Sequence, residues 1–330
     1  MAVTYFDSDE TGAPQFTTSG SGASYTTTII DIMDAVLING FNGKPGFGWT
    51  KEMSSSVTNS DRTVYKNKSA HANDMYLLVE SSLQYSEIRF QIADTVTTPE
   101  SYQGYSHVAS LFPSSGYKWK AMGDERTLIF FIYNAYLLQT NYSNFERYNP
   151  YVIYIGDFEQ FNSANSKCWG LLASRMIPGT FETATNAQTR SHAFTHQILY
   201  NKPSEKIIRP ITQVPEEEWS EEACYAQLDS LFSTTEETNT PYNYTSSVSE
   251  FEQRAHLKAP WFVMINMRHV YQLRGVFNIL PWLNHADEDN KANMLKPLTI
   301  DGISYIATKQ YTEDSKYTGM SLYIQTSGDW

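Results

Sequence analysis

His192 and His196 stand four residues apart, a spacing that would set both imidazoles on one helix face, as in a zinc hydrolase. The intervening Ala193-Phe194-Thr195 offers no glutamate as general base, and no third ligand lies close in sequence, so both read as polar loop histidines. Asp287-Glu288-Asp289-Asn290 resembles half a calcium loop without its sixth-position glycine or closing glutamate, and reads as a solvated turn. The nearest approach to a nucleophile elbow, Gly20-Ser21-Gly22, falls in a Thr/Ser/Gly-rich tract and not between a strand and a helix. No phosphate-cradling glycine loop or dinucleotide fingerprint is present. Paired carboxylates for glycoside cleavage could come from Asp124-Glu125 or from Asp157 with Glu159. A chain with 36 acidic residues supplies such pairs by composition alone. Cys168 and Cys224 are expected as two buried free thiols, since two cysteines make no disulfide framework. The expectation is therefore a chain with no catalytic, cofactor-binding or metal-ligating residue, and no cofactor.

Composition narrows the partners. A net charge of −12 argues against nucleic acid, whose phosphates need clustered Lys and Arg. The acidic run Glu216-Glu217-Glu218, extended by Glu221-Glu222, reads as a solvated first turn of a helix. No apolar stretch reaches the roughly 18 residues of a membrane span, and no signal peptide is visible, so neither membrane insertion nor secretion is expected. The Asn-x-Ser/Thr matches at Asn67, Asn141 and Asn243 are then chance. Charged residues make up only 18%, below the roughly 25% of ordinary soluble domains, whereas Tyr (23) and Phe (17) are abundant. A polar, weakly charged, Tyr-rich surface suits large protein interfaces.

The elements that would position these residues are mostly strands. Ile29, Ile32, Met33, Val36 and Leu37 follow helical spacing after a Thr26–Thr28 cap, with Asn39-Gly40 as the stop. From Trp49 the period shifts to two. Trp49–Val57 with Arg62–Asn67, and Met75–Ser81 with Glu87–Ala93, read as hairpins. Residues 94–117 read as a long loop, a candidate contact surface. Trp119–Met122, Leu128–Tyr133, Val152–Ile155 and Cys168–Met176 continue the strand pattern. A second helix is predicted over Glu216–Phe232, followed by strands at Trp261–Met267, Tyr271–Ile279, Leu298–Thr308 and Leu322–Thr326. Asp301-Gly302 is the strongest hairpin-turn signal. The expected class is α+β: predominantly antiparallel, sandwich-like β-sheet with two or three peripheral helices and an extended N-terminal arm. The expected units are the arm (1–25), a β-rich domain opening on a helix (26–177), a polar excursion (178–215), and a second α+β part (216–330) packed on the first.

Four places give the chain a family likeness. Thr11-Gly12-Ala13-Pro14 precedes a helix ending Asp34-Ala35-Val36-Leu37-Ile38-Asn39-Gly40-Phe41. A middle segment runs Trp119-Lys120-Ala121-Met122-Gly123-Asp124-Glu125-Arg126-Thr127-Leu128-Ile129-Phe130-Phe131. Gly156-Asp157-Phe158 is a short turn motif. Leu273-Arg274-Gly275 and Asp301-Gly302-Ile303-Ser304-Tyr305-Ile306 lead to the closing Gly328-Asp329-Trp330. In this order they resemble a family of virion structural proteins of tailed bacteriophages. In two respects the chain departs from that pattern: Asp329 stands where a proline is expected, and residues 178–260 are longer and more polar. The resemblance implies a non-enzymatic structural protein at the head–tail neck, tail or baseplate, made in the host bacterial cytoplasm and carried in the virion. Its partners would be copies of itself and other virion proteins. Aromatic chain ends are expected to dock, so Tyr5, Phe6, Pro14, Phe16 and Trp330 are the expected assembly contacts, with the arm adding a strand to a neighbour. Trp330 is expected first as an anchor in its own sheet. A carbohydrate- or receptor-binding tail component, stacking sugars on Tyr102, Tyr105 and Tyr117, or a capsid decoration protein, is the alternative. A glycan-degrading enzyme is the remaining rival.

Overall fold

The apolar stripe predicted from residue 29 onward is a buried helix face: Ile29, Ile32, Met33, Val36 and Leu37 are all fully enclosed. In the computed structural model, helix α1 (Ser24–Met33) runs directly into a π-helical turn, Asp34–Asn39, closed by the Gly40 amide donating to the Ala35 carbonyl at 2.7 Å. The chain then doubles back. The amides of Phe47, Gly48 and Trp49 donate to the carbonyls of Val36 and Leu37 at 2.9–3.1 Å, satisfying acceptors a helix end leaves open.

The structure describes residues 2–16, 24–57, 60–68, 70, 74–82, 87–106, 108–111, 117–134, 151–160, 169–173, 176–177, 197–198, 225–229, 257–265, 268–280, 295–309 and 321–330. The strands are β1 (Thr4–Asp7), β2 (Thr50–Val57), β3 (Ser60–Lys66), β4 (Tyr76–Ser82), β5 (Glu87–Thr98), β6 (Ser101–Tyr105) and β7 (Val108–Leu111). They continue with β8 (Tyr117–Gly123), β9 (Thr127–Asn134), β10 (Tyr151–Gln160), β11 (Trp169–Ala173), β12 (Met176–Ile177), β13 (Gln197–Ile198) and β14 (Tyr225–Asp229). The last are β15 (Leu257–Ile265), β16 (Arg268–Leu280), β17 (Pro297–Ile300), β18 (Ile303–Lys309) and β19 (Ser321–Gln325).

Every strand pairing described is antiparallel, and the class is α+β with one helix among the described residues. One sheet runs β1-β8-β9-β10-β16-β15-β14-β13 with β11, β17, β18 and β19 attached; the other runs β12-β7-β5-β4-β3-β2 with β6 on β5. Alternate residues of the second sheet (Tyr65, Leu77, Val79, Ile88, Phe90, Ile92) share one core with α1 and with Trp119, Ala121 and Phe130 of the first. Phe90 meets Phe130 with ring centroids 6.2 Å apart.

Two expectations are corrected. The loop predicted over 94–117 is largely strand: β5 runs on to Thr98, and β6 and β7 follow. The opposite face of this sheet carries its own small cluster, in which Val64, Leu78, Ala93 and Val108 pack with Tyr102 and Tyr105, so polar residues there alternate with buried ones. Within the helix predicted over 216–232, Tyr225–Asp229 is a strand facing β15, Leu228 opposite Val263. A five-residue Tyr-Ala-Gln-Leu-Asp run satisfies either period, and pairing decides it. The rest of that prediction and most of the 178–215 excursion lie outside the described residues. The Asp301-Gly302 turn forms as read, at φ 51° and 78°, joining β17 to β18.

Candidate functional site

The turn between β8 and β9 is tightened by Asp124, whose Oδ1 accepts the amides of Arg126 (2.9 Å) and Thr127 (3.0 Å). Trp49 Nε1 donates to the Asp124 carbonyl at 2.9 Å, tying the start of β2 to the turn. From β16, Arg274 reaches the same carboxylate with both terminal nitrogens, Nη1 to Oδ1 at 2.9 Å and Nη2 to Oδ2 at 2.5 Å. Its Nη1 also donates to Thr127 Oγ1 (2.8 Å) and its Nε to Glu159 (3.0 Å). The Arg274 side chain is completely enclosed and that of Asp124 nearly so. Burial pulls the Arg274 pKa down, but the hydrogen bond and charge of Asp124 outweigh it and the net shift is upward. Fork-to-carboxylate pairing of this kind is the strongest an arginine makes.

A second pair adjoins the first. Arg126 Nε donates to Asp157 Oδ2 at 2.9 Å and its Nη1 reaches Glu159 at 3.4 Å. Asp157, fully buried on β10, also accepts from the Ala70 amide (3.1 Å) and from Asn67 Nδ2 (3.3 Å). Tyr154 OH donates to the Asp157 carbonyl and accepts the Arg274 amide at 3.2 Å; its burial raises the phenol pKa. Asp124, Asp157 and Glu159 thus face two guanidinium groups. Glu125, the other half of a candidate catalytic pair, is held by Lys68 at 3.0 Å. Asp124 and Asp157 are neutralised in a closed space, while the Glu159 side chain stays nearly half exposed. The node fastens β3, β8, β9, β10 and β16 together.

Trp330 covers it. The ring lies over Gly275, where an added Cβ would fall 2.2 Å from Cε2; Gly275 also has φ 70°, which disfavours any side chain. Trp330 Nε1 donates to the Gln325 carbonyl (3.1 Å), and Arg274 Nη2 reaches the Trp330 carbonyl at 3.5 Å. Trp330 therefore anchors in its own sheet.

The N-terminal segment is not extended away from the body. β1 pairs with β8, Phe6 opposite Ala121, and Phe6 is fully buried, its ring 4.5 Å from Phe41 and 5.7 Å from Phe47. Trp119 Nε1 donates to the Pro14 carbonyl at 2.8 Å, and Phe16 is buried in the same core. Tyr5 is half-buried: its hydroxyl donates to Asp7 at 2.9 Å, and burial first, then Asp7, raises its pKa. The Val3 amide donates to the Gly328 carbonyl at 2.8 Å and Ala2 bridges to Asp329, so the two ends of the described fold meet. The expected contacts Tyr5, Phe6, Pro14, Phe16 and Trp330 all touch their own chain. The physical reason is Phe6, whose apolar surface finds an aromatic socket within the same molecule.

Tyr102 and Tyr105 meet edge to face at 5.4 Å, half-buried on their own sheet, and Tyr102 OH donates to Gln91 at 2.9 Å. A cleft of about 330 Å³ between α1 and the β2–β3 hairpin is lined by residues including Ile30, Asp31, Lys51, Ser54 and Asp61, and no aromatic lines it among the described residues. Among the described residues no group of three or more His, Cys, Asp or Glu is placed to hold a metal. His192, His196, Cys168, Cys224, Gly20–Gly22, Glu216–Glu218 and Asp287–Asn290 lie outside the described residues. Sequence reasoning missed the Arg274–Asp124 pairing. Its signal was a charged residue inside an apolar strand, as in Gln272-Leu273-Arg274-Gly275-Val276 and Tyr154-Ile155-Gly156-Asp157-Phe158. No protein-family model matches the chain, and no curated protein matches it.

Proposed function

We propose that the chain is a non-enzymatic virion structural protein of a tailed bacteriophage, acting as one of several copies at the neck, tail or baseplate. What supports this reading is where the four motif segments lie. Asp124, Arg126 and Thr127 of the middle segment, Asp157 of the turn motif, and Arg274 with Trp330 of the closing segments all join one buried node. The opening segment joins them through Trp119, which bonds the Pro14 carbonyl and meets Phe41 edge-on at 6.0 Å. The residues that carry the resemblance thus build an interlock of the fold, in which Asp124 and Asp157 are engaged by arginine. Such a body suits a mechanical role, with polar, Tyr-rich faces for contacts among copies and with other virion proteins. Electron microscopy of the concentrated protein provides the test: rings, tubes or arrays of repeating subunits are expected. Featureless single particles at every concentration would count against the reading.

A further inference from the structure

The segment Ala2–Phe16 carries Asp7, Asp9 and Glu10 and no Lys or Arg. Its socket, in a chain of net charge −12, is basic: Lys120 pairs with Asp7, Lys118 with Asp9, and Lys44 with Glu10 at 2.7 Å. Along β1, alternate residues turn their backbone groups away from β8, and several of these are already engaged. The Val3 amide is bound by Gly328, the Tyr5 carbonyl by Lys44 Nζ at 2.7 Å, and the Asp7 amide by Glu10 Oε1 at 3.1 Å. No incoming strand can therefore add to β1's outer edge without displacing these caps. The complement of this segment is the socket itself, formed by β8 with Phe41, Phe47 and the three lysines.

Resting on the multi-copy reading above, we infer that copies assemble by exchanging this segment, residues 2–16 of one copy filling the β8 socket of another. The contacts are the same within one chain and between two, so exchange forfeits no contact and gains multivalency when several copies close a ring. The connection to α1, residues 17–23, reads Thr-Thr-Ser-Gly-Ser-Gly-Ala. Fully extended it reaches roughly 23–25 Å at 3.3–3.6 Å per residue. Ion pairs grip much of the segment in either arrangement, so salt loosens it in both and does not by itself shift the balance between them.

The test is a disulfide across the ladder. Asp7 and Lys120 face each other where neither backbone bonds across, the closely spaced kind of antiparallel pair, about 4.5 Å between Cα atoms and within disulfide reach. Asp7→Cys with Lys120→Cys is made in the full chain with Cys168→Ser and Cys224→Ser, then oxidised after separating assembled from monomeric protein. Exchange predicts covalent dimers and higher ladders on denaturing, non-reducing gels for the assembled fraction, and single-chain mass for the monomer. Tyr5→Cys with Met122→Cys, the next facing pair, provides a second cross-link should the first variant not fold. Assemblies holding only within-chain disulfides would overturn exchange while leaving the multi-copy reading intact. Absence of any assembled fraction, in the variants and in the unmodified chain, would overturn both.

Discussion

Replacing Arg274 by Met should be among the most damaging single changes in the fold. The guanidinium is wholly enclosed and makes two bonds to Asp124, one to Thr127 and one to Glu159. Met fills much of the same volume, so the loss is mainly electrostatic. Asp124 would keep the amides of Arg126 and Thr127 but lose its only counter-ion among the described contacts. Breaking one side of a buried pair costs about 3–5 kcal/mol. At about 2.1 cal/mol/K per residue, cooperative unfolding of 330 residues has an entropy near 0.7 kcal/mol/K, so a loss of about 4 kcal/mol lowers Tm by about 6 °C. Scanning calorimetry with urea titration measures both quantities. Adding Asp124→Asn to Arg274→Met removes the orphaned charge while keeping an oxygen for the turn amides, and should recover at least about 2 kcal/mol of the loss. A single variant within about 1 kcal/mol of the parent, or a double variant no better than the single, would refute the node as the fastening of the fold.

Other outcomes follow from the same geometry. Phe6→Ala empties the Phe41–Phe47 socket and should cost about 3–5 kcal/mol in urea unfolding; deleting 1–25 should likewise destabilise the body and not merely trim an arm. Gly275→Ala places a Cβ inside the Trp330 ring and should displace it, shifting indole emission to longer wavelength. Asp7 is raised by burial, but Lys120, the Asp9 amide and Tyr5 more than offset this and hold its carboxyl below the ordinary 3.8. A depressed folded value contributes stability above the unfolded pKa and loses it as pH falls through the folded one. The stability gap between the parent and Asp7→Asn should therefore be full at neutral pH and narrow below pH 3.8, read from urea midpoints at several pH values.

Local signals were legible where one period held for several turns or residues. The stripe from Ile29 to Leu37, the β2–β3 and β4–β5 hairpins and the Asp301-Gly302 turn all form as the sequence suggests. Residues 94–117 misled because Gly104 and the Thr/Ser content suit a loop, while the strand state is decided by pairing with β5 and by the small cluster under Tyr102 and Tyr105. β1 is four residues long and its partner lies more than a hundred positions away, so neither its existence nor its docking has a local signature. The same holds for Arg274 and Asp124, 150 residues apart. The motif segments were visible in the sequence, and their meeting point was not, because a chain records types and spacing but not which distant charges will neutralise each other.

The most direct test of the multi-copy role is the solution mass of the full chain by light scattering across a concentration series. A discrete multiple of 37.7 kDa that grows in with concentration is expected. A strict monomer at every concentration would contradict it.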